Sequence, residues 1–171
     1  EELRSALLTH ELTGIPNRRA YEEAERLPAQ TSIDVDGLKF INDELGHESG
    51  DELLRTIAAA LREETDQAFH ISGDEFVVQA ATPDEAAAIM QRVSERLAGA
   101  SIEATLPDGE VVTVPLTGVS FGVGANLSEA ETQLQAHKRE RTVRGLRAER
   151  GQEPPGTTLR GGRRGRVETE G

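Results

Sequence analysis

Two stretches of this chain carry carboxylates where the backbone can let a ligand come close. The first is Asp34-Val35-Asp36-Gly37, which ends a run of β-forming residues that starts at Thr31. The second is Ser72-Gly73-Asp74-Glu75, with Phe69 and Ile71 before it and Phe76, Val77 and Val78 after it. β-Formers on both sides of a Ser-Gly-Asp-Glu core predict two strands joined by a tight turn. Gly73 gives that turn backbone freedom and room for a phosphate-sized ligand. If the first strand and the hairpin are neighbours in one sheet, Asp34, Asp74 and Glu75 meet. Carboxylates that converge at strand ends can hold a hard ion such as Mg²⁺ together with substrate phosphates. Plainer readings stay open for each piece. The hairpin acids can be an exposed polar turn, and Asp34 and Asp36 can cap the helix that follows.

The elements that must position these residues follow from periodicity. Residues 1–10 have a helical stripe of Leu3, Ala6, Leu7 and His10, the expected end of a linker helix from an upstream module. Gly14 breaks it, and Pro16 suits the start of a short helix to about Leu27. One or two helical turns are expected over residues 38–45. The clearest helix covers 48–64, with Leu53, Leu54, Ile57, Ala58 and Leu61 on one face. Thr82-Pro83-Asp84-Glu85 is a capping box for a helix that buries Ala86, Ile89, Met90, Val93 and Leu97. Pro107-Asp108-Gly109 marks a second hairpin, and residues 117–123 continue as a core strand. A second capping box, Ser128 to Glu131, opens a last helix to about Leu146. Residues 147–171 are rich in Gly, Arg and Pro without apolar periodicity and predict a disordered tail. The alternation predicts an α/β domain over residues 11–146, one mixed sheet with helices on its faces.

Composition bounds the function. The chain has 171 residues, enough for one domain with a real core. It has no Cys, hence no disulfide framework and no thiolate metal site. Residues 1–144 carry a net charge of −14 and residues 145–171 a net of +2. An acidic globule repels a polynucleotide backbone, which argues against a nucleic-acid partner. No apolar run is long enough for a membrane span. The chain starts at Glu1 and its one Met is Met90, so a piece of a longer protein is expected.

The motifs occur in an order that resembles one family. Leu-Thr-Gly-Ile-Pro-Asn-Arg-Arg from Leu12, then Asp-Val-Asp-Gly-Leu-Lys-Phe-Ile-Asn-Asp-Glu-Leu-Gly-His-Glu-Ser-Gly-Asp from Asp34, then Ser-Gly-Asp-Glu-Phe, then Val-Ser-Phe-Gly-Val-Gly from Val119, resembles the GGDEF family of diguanylate cyclases. The resemblance runs from about Leu12 to Lys138. It implies a palm-like α+β fold related to nucleotide cyclases and polymerase palms, with a mainly antiparallel central sheet and helices on both faces. It implies condensation of two GTP into cyclic di-GMP with loss of two pyrophosphates, at the two-fold interface of a homodimer. It also implies an upstream sensory or regulatory domain and a cytoplasmic location, any membrane anchor lying upstream of this segment. Carried over by position, Asp34, Asp74 and the Val35 carbonyl hold Mg²⁺ or Mn²⁺, and Glu75 is the second acid, assisting metal binding or deprotonation of the attacking hydroxyl. Gly37, Leu38, Ser72 and Gly73 lie along the phosphates. Lys39 and Lys138 pair with the triphosphate, and Asp74, Glu75 and Lys39 form the catalytic set. Asn42 and Asp51 read the guanine edge, where an Asp accepts from N1 and N2; helix capping is the plainer alternative for both. Lys39 and Lys138 are the only lysines among 19 cationic residues, and a compact ammonium is not interchangeable with a guanidinium.

Several positions depart from the usual pattern of the family. Ser72 replaces a Gly and adds a Cβ where backbone approaches phosphate. His70 replaces an Arg, His10 an Asp, Thr142 a triphosphate cation and Glu131 an Asp. The inhibitory product site is expected to be absent, because Glu63 replaces its Arg although Asp66 is kept. The alternative to an active cyclase is a catalytically degenerate domain that binds GTP or serves regulation and dimerisation.

Overall fold

The strand β1 (Ala29–Val35) runs through the middle of the molecule, and both of its faces are covered. The computed structural model describes residues 2–155, 157–159 and 167–169. Along the chain β1 follows the helices α1 (Glu2–Leu8) and α2 (Arg18–Glu23) and precedes α3 (Leu38–Leu45) and α4 (His47–Glu64). Then come β2 (Ala68–Ser72), β3 (Glu75–Ala80), α5 (Pro83–Leu97), β4 (Ser101–Thr105), β5 (Val111–Pro115), β6 (Val119–Gly124) and α6 (Leu127–Val143). The short strands β7 (Thr157–Leu159) and β8 (Val167–Thr169) pair with each other.

The central sheet has the order β2-β3-β1-β6, and each of its pairings is antiparallel. The expected mixed sheet is therefore antiparallel, and the β4–β5 hairpin stands apart as its own two-stranded ribbon. Period-two alternation decides which side chains each face receives. Ile33 and Val35 enter the main core with Phe76 and Val78 of β3, and α4 and α5 supply Leu53, Leu54, Ile57, Leu61, Ile89, Met90 and Val93. A smaller cluster of Tyr21, Phe69 and Val77 covers part of the sheet. Ser32 and Asp34 face α6, where they meet Glu131 and Lys138. The α+β architecture with helices on both faces is as expected.

The helix α6 reaches the sheet because two residues of β6 have no side chain. A Cβ on Gly122 would lie 2.1 Å from the Leu134 nitrogen and 2.4 Å from the Ala130 carbonyl oxygen. A Cβ on Gly124 would lie 2.5 Å from the Ala130 nitrogen. Helix backbone therefore rests on strand backbone, and α6 buries only Ala130 and Leu134 fully. Its N-cap is Asn126, whose Oδ1 accepts from the Glu129 N–H at 2.9 Å, so the expected box at Ser128 is displaced by two residues. Asn serves this position as well as Ser. The helix ends at Val143, short of Leu146. Gly145 turns left-handed at φ 74°, with Leu146 N–H donating to the Arg141 carbonyl and Gly145 N–H to that of Thr142. These are the two bonds of a Schellman motif.

An imidazole stack ties the N-terminal segment to the hairpin. His70 on β2 is buried, with its ring 3.6 Å from that of His10 and 4.3 Å from that of Phe76. His70 Nε2 lies 2.8 Å from the Gly73 carbonyl oxygen, which can only accept, so Nε2 carries the proton. The Thr13 hydroxyl then donates to Nδ1 at 3.0 Å. Burial pushes the His70 imidazole down to about 4, against the Gly73 hydrogen bond, and His10 adds to the drop. His10 is lowered as well, by burial and against Glu11.

Two outcomes follow from this packing. Gly122→Ala should destabilise the domain by about 1–3 kcal/mol, since a methyl group has no room against helix backbone. Urea unfolding followed by circular dichroism measures it, and an unchanged midpoint would contradict the close contact. The histidines predict a loss of stability on mild acidification. Between pH 6.5 and 4 the unfolded chain takes up protons that folded His70 refuses, so stability falls as pH falls through that window. Above pH 6.5 both states are neutral and the effect is absent. Melting temperatures from pH 7.5 to 5 should fall more steeply for the wild type than for His70→Gln, a comparison that cancels the opposite contribution of the raised Asp34 carboxyl.

Candidate active site

The pairing of β1 with β3 brings the two carboxylate stretches together. Asp34 is the register partner of Glu75, and Val35 N–H donates to the Asp74 carbonyl at 3.1 Å. The Asp34 and Asp74 side chains are close enough to share a hydrogen bond. Burial pushes the Asp34 carboxyl up to about 6; the Lys138 hydrogen bond opposes this, and the charge of Asp74 adds to it. Lys138, from α6, forms an ion pair with Asp34, and both side chains are largely shielded from solvent. The convergence expected from the sequence is thus present for Asp34 and Asp74.

The chain leaves β1 through Gly37, whose φ of 80° is left-handed, and enters α3 directly. Gly37 provides no side-chain cap, so the first N–H groups of α3 are left to whatever lies beside them. A cleft of about 330 Å³ lies there. Asp34, Val35, Gly37, Leu38, Gly73, Asp74 and Lys138 line it. Lys39 lines it too, with its ammonium 2.7 Å from Asp43 in an exposed pair one helical turn away. Asn42 lies farther along α3 and also lines it. A Cβ on Gly50 of α4 would fall 1.8 Å from Asn42 Oδ1, so that glycine makes the space in which the amide lies.

Three expected residues stand outside the cleft. Glu75 and Ser72 are exposed on the hairpin, where the Ser72 hydroxyl donates to Glu75 Oε2 at 3.1 Å. Ser72 therefore does not narrow the cleft. Asp51, half-buried, follows Gly50 on α4 and does not line the space. At the expected product-site position Glu63 and Asp66 are exposed. The Arg62 guanidinium is engaged at 2.9 Å by the Thr13 carbonyl. Two further guanidiniums, Arg92 and Arg96 on α5, reach this corner, and each meets the Glu64 carboxylate. They hold the Glu64 carboxyl below the usual range, Arg96 before Arg92.

Asp36 is not a helix cap. It is buried, its Oδ1 accepting from the Ser120 hydroxyl at 2.9 Å and from Arg147 Nε at 3.1 Å, and its Oδ2 from Arg141 Nη2 at 3.1 Å. Burial pushes its carboxyl up, opposed by Arg141, Ser120 and Arg147. Arg147 and the residues after it were expected to be a disordered tail. Instead, residues 147–155 turn back over the domain, and Arg147 to Gly151 line the cleft. The reason is the buried carboxylate, whose charge needs cationic partners. The rest of the expected tail, at residues 156, 160–166, 170 and 171, lies outside the described residues. The sequence reading also passed over Gly50. A glycine inside an otherwise strong helix costs about 1 kcal/mol relative to Ala, which is the signal that something presses on it.

The donor set suits a hard divalent cation. Asp34, Asp74 and the Val35 carbonyl are all oxygen donors, and the two facing carboxyl groups raise each other's need for positive charge. Among the described residues no group of three or more His, Cys, Asp or Glu side chains could hold an ion by itself.

Comparison with known proteins bears on family and fold. The family model described as diguanylate cyclase, GGDEF domain, matches residues 8–144. The uncharacterized protein YhcK of Bacillus subtilis is 34% identical over 127 residues, covering 64% of this chain and 35% of that protein. The diguanylate cyclase DgcP of Pseudomonas aeruginosa is 39% identical over 94 residues, covering 46% of this chain and 14% of that protein. The chain thus spans about a third or less of the length of these relatives. Among solved structures, the diguanylate cyclase SiaD of Pseudomonas aeruginosa, in complex with its activator SiaC, superposes with a TM-score of 0.62. It is 27% identical, with 81% of this chain and 61% of that one covered. No helix among the described residues is long and apolar enough to cross a membrane. Motif order, antiparallel sheet and carboxylate-bearing hairpin coincide along nearly the whole matched region, and the chain belongs to the GGDEF family of diguanylate cyclase domains.

Proposed function

We propose that this domain condenses two GTP into cyclic di-GMP and two pyrophosphates. The observation that carries the reading is the meeting of Asp34 and Asp74 in a cleft that also holds Gly37, Lys39 and Lys138. Each subunit binds one GTP. The 3′-hydroxyl of one nucleotide attacks the α-phosphorus of the other, the bond to the β-phosphate bridging oxygen breaks, and pyrophosphate leaves with the electron pair. The same exchange in the other direction closes the ring. Because each cleft takes one nucleotide, the reaction needs two copies face to face.

The residues of the chain divide the work. Lys39 and Lys138 offset the triphosphate charge, and the uncapped start of α3 at Gly37 and Leu38 presents N–H donors to it. Asn42, which lines the cleft, meets the guanine edge. Glu75, at the exposed rim, takes the proton of the attacking hydroxyl. Mg²⁺ or Mn²⁺, held by Asp34, Asp74 and the Val35 carbonyl, supplies charge neutralisation on the reacting phosphates when bound. GTP as substrate implies a cytoplasmic location, and an upstream sensory or regulatory domain sets when two copies meet. Ser72 is compatible with activity, since its hydroxyl faces Glu75 rather than the cleft.

Incubation of the chain with GTP and Mg²⁺ should give cyclic di-GMP, resolved by anion-exchange chromatography. Asp74→Ala should lower the rate by roughly 10²-fold or more. GTP binding without product would replace the reading with a regulatory or dimerisation module. Gly50→Ala tests the base end, because its methyl group must expel the Asn42 amide. GTP turnover should drop and the preference for GTP over ATP should shrink, with the melting temperature nearly unchanged. An unaltered ratio would count against Asn42 as a reader of guanine.

A further inference from the structure

We propose that residues 147–151 form one wall of the nucleotide cleft and that Arg150 binds the terminal phosphates of the substrate from that wall, with Arg147 as its anchor. The proposal rests on the reading of the cleft as a GTP site.

The wall is built from several fastenings. The Schellman turn at Gly145 reverses the chain at the end of α6 and aims it back at the domain. Arg141 Nη2 donates to the Leu146 carbonyl at 3.4 Å. Arg147 then donates through Nε to buried Asp36 and through Nη1, at 3.1 Å, to the Thr142 hydroxyl. Its side chain is only 12% exposed. Gln152 N–H closes a turn on the Glu149 carbonyl at 2.9 Å. Gly151, with φ 81°, lies over the Lys39 side chain, where an added Cβ would be 3.4 Å from Cδ and Cε. Pro154 is buried, with its Cγ 3.3 Å from where a Gly37 Cβ would stand. The segment thus meets Asp36 through Arg147, Lys39 through Gly151 and Gly37 through Pro154, and lies against the turn between β1 and α3.

Charge gives the wall its role. Within the cleft Lys138 is paired with Asp34, Lys39 with Asp43 and Arg147 with Asp36. Among the described residues Arg150 is the lining cation without an ion pair. It adjoins Gly151, which lies over the side chain of Lys39 in the first turn of α3. A triphosphate carries about four negative charges, and a guanidinium offers it paired donors on a planar fork. Glu149 lines the same wall with the opposite charge, so the wall discriminates by where its one free guanidinium stands, not by net charge.

Arg150 is exposed and makes no hydrogen bond or ion pair among the described residues, so its substitution leaves the fold intact. The test is calorimetric titration of the whole chain with the α,β-methylene analogue of GTP, which cannot be condensed, and with GMP, both in Mg²⁺. Arg150→Ala should weaken the analogue by roughly three- to tenfold, and Arg150→Glu by more, while GMP binding stays constant. Arg150→Lys should recover part of the loss. Equal affinities of wild type and Arg150→Glu for the analogue would overturn the proposal and leave the GTP reading standing. Equal losses for analogue and GMP would overturn it too, by showing a general disturbance of the cleft. If the wild type binds neither nucleotide, the GTP reading itself falls and takes the proposal with it.

Discussion

The close approach of α6 to β6 is the constraint on which the rest of the site depends. Two glycines, Gly122 and Gly124, let helix backbone sit on strand backbone. Since β6 pairs with β1 in fixed register, that contact also fixes how α6 lies along β1. Ser32, Asp34 and Asp36 then meet Glu131, Lys138 and Arg141 in order. On α6 these partners are two and three turns along one stripe, and on β1 they are successive residues of one face.

Along that stripe Asp34, near the end of β1, and Asp36, just past it, meet different fates. Asp36 is buried and takes up Arg141, Arg147 and the Ser120 hydroxyl, so its charge is committed to structure. Asp34, nearer the hairpin, faces a like charge from Asp74 and has only Lys138 against it. An acid beside a competing acid keeps charge that is not offset, and an acid enclosed by guanidiniums does not. The division also explains why the chain does not leave the domain after α6, because Asp36 holds Arg147 and with it the wall of the cleft.

The hairpin is held from the other side of the molecule. His70 donates to the Gly73 carbonyl inside the turn itself, and Thr13 and His10 hold His70. Thr13 is in turn bound to α4, its carbonyl accepting from Arg62. A chain of contacts thus runs from the N-terminal segment, through two neutral imidazoles, into the backbone beside Asp74. Stacked neutral rings transmit position through shape and one directed hydrogen bond, without the long-range pull of an ion pair.

Much of this was legible in the sequence. Period-two and helical patterns found β1, α4, α5 and both hairpins, because local apolar spacing reports which face is buried. The order of motifs led to Asp34, Asp74, Lys39, Asn42 and Lys138, and the structure brings these five into one cleft. Other features depend on contacts between residues far apart in the chain, which leave no local mark. Asp36 looked like a cap, since its partners Arg141 and Arg147 come more than 100 positions later. The tail looked structureless, since its anchor is one guanidinium on a distant buried carboxylate rather than an apolar stripe. The placement of Gly50, Gly122 and Gly124 is decided by what presses on a missing Cβ. Sequence shows that a side chain is absent, and only the packed neighbour shows why.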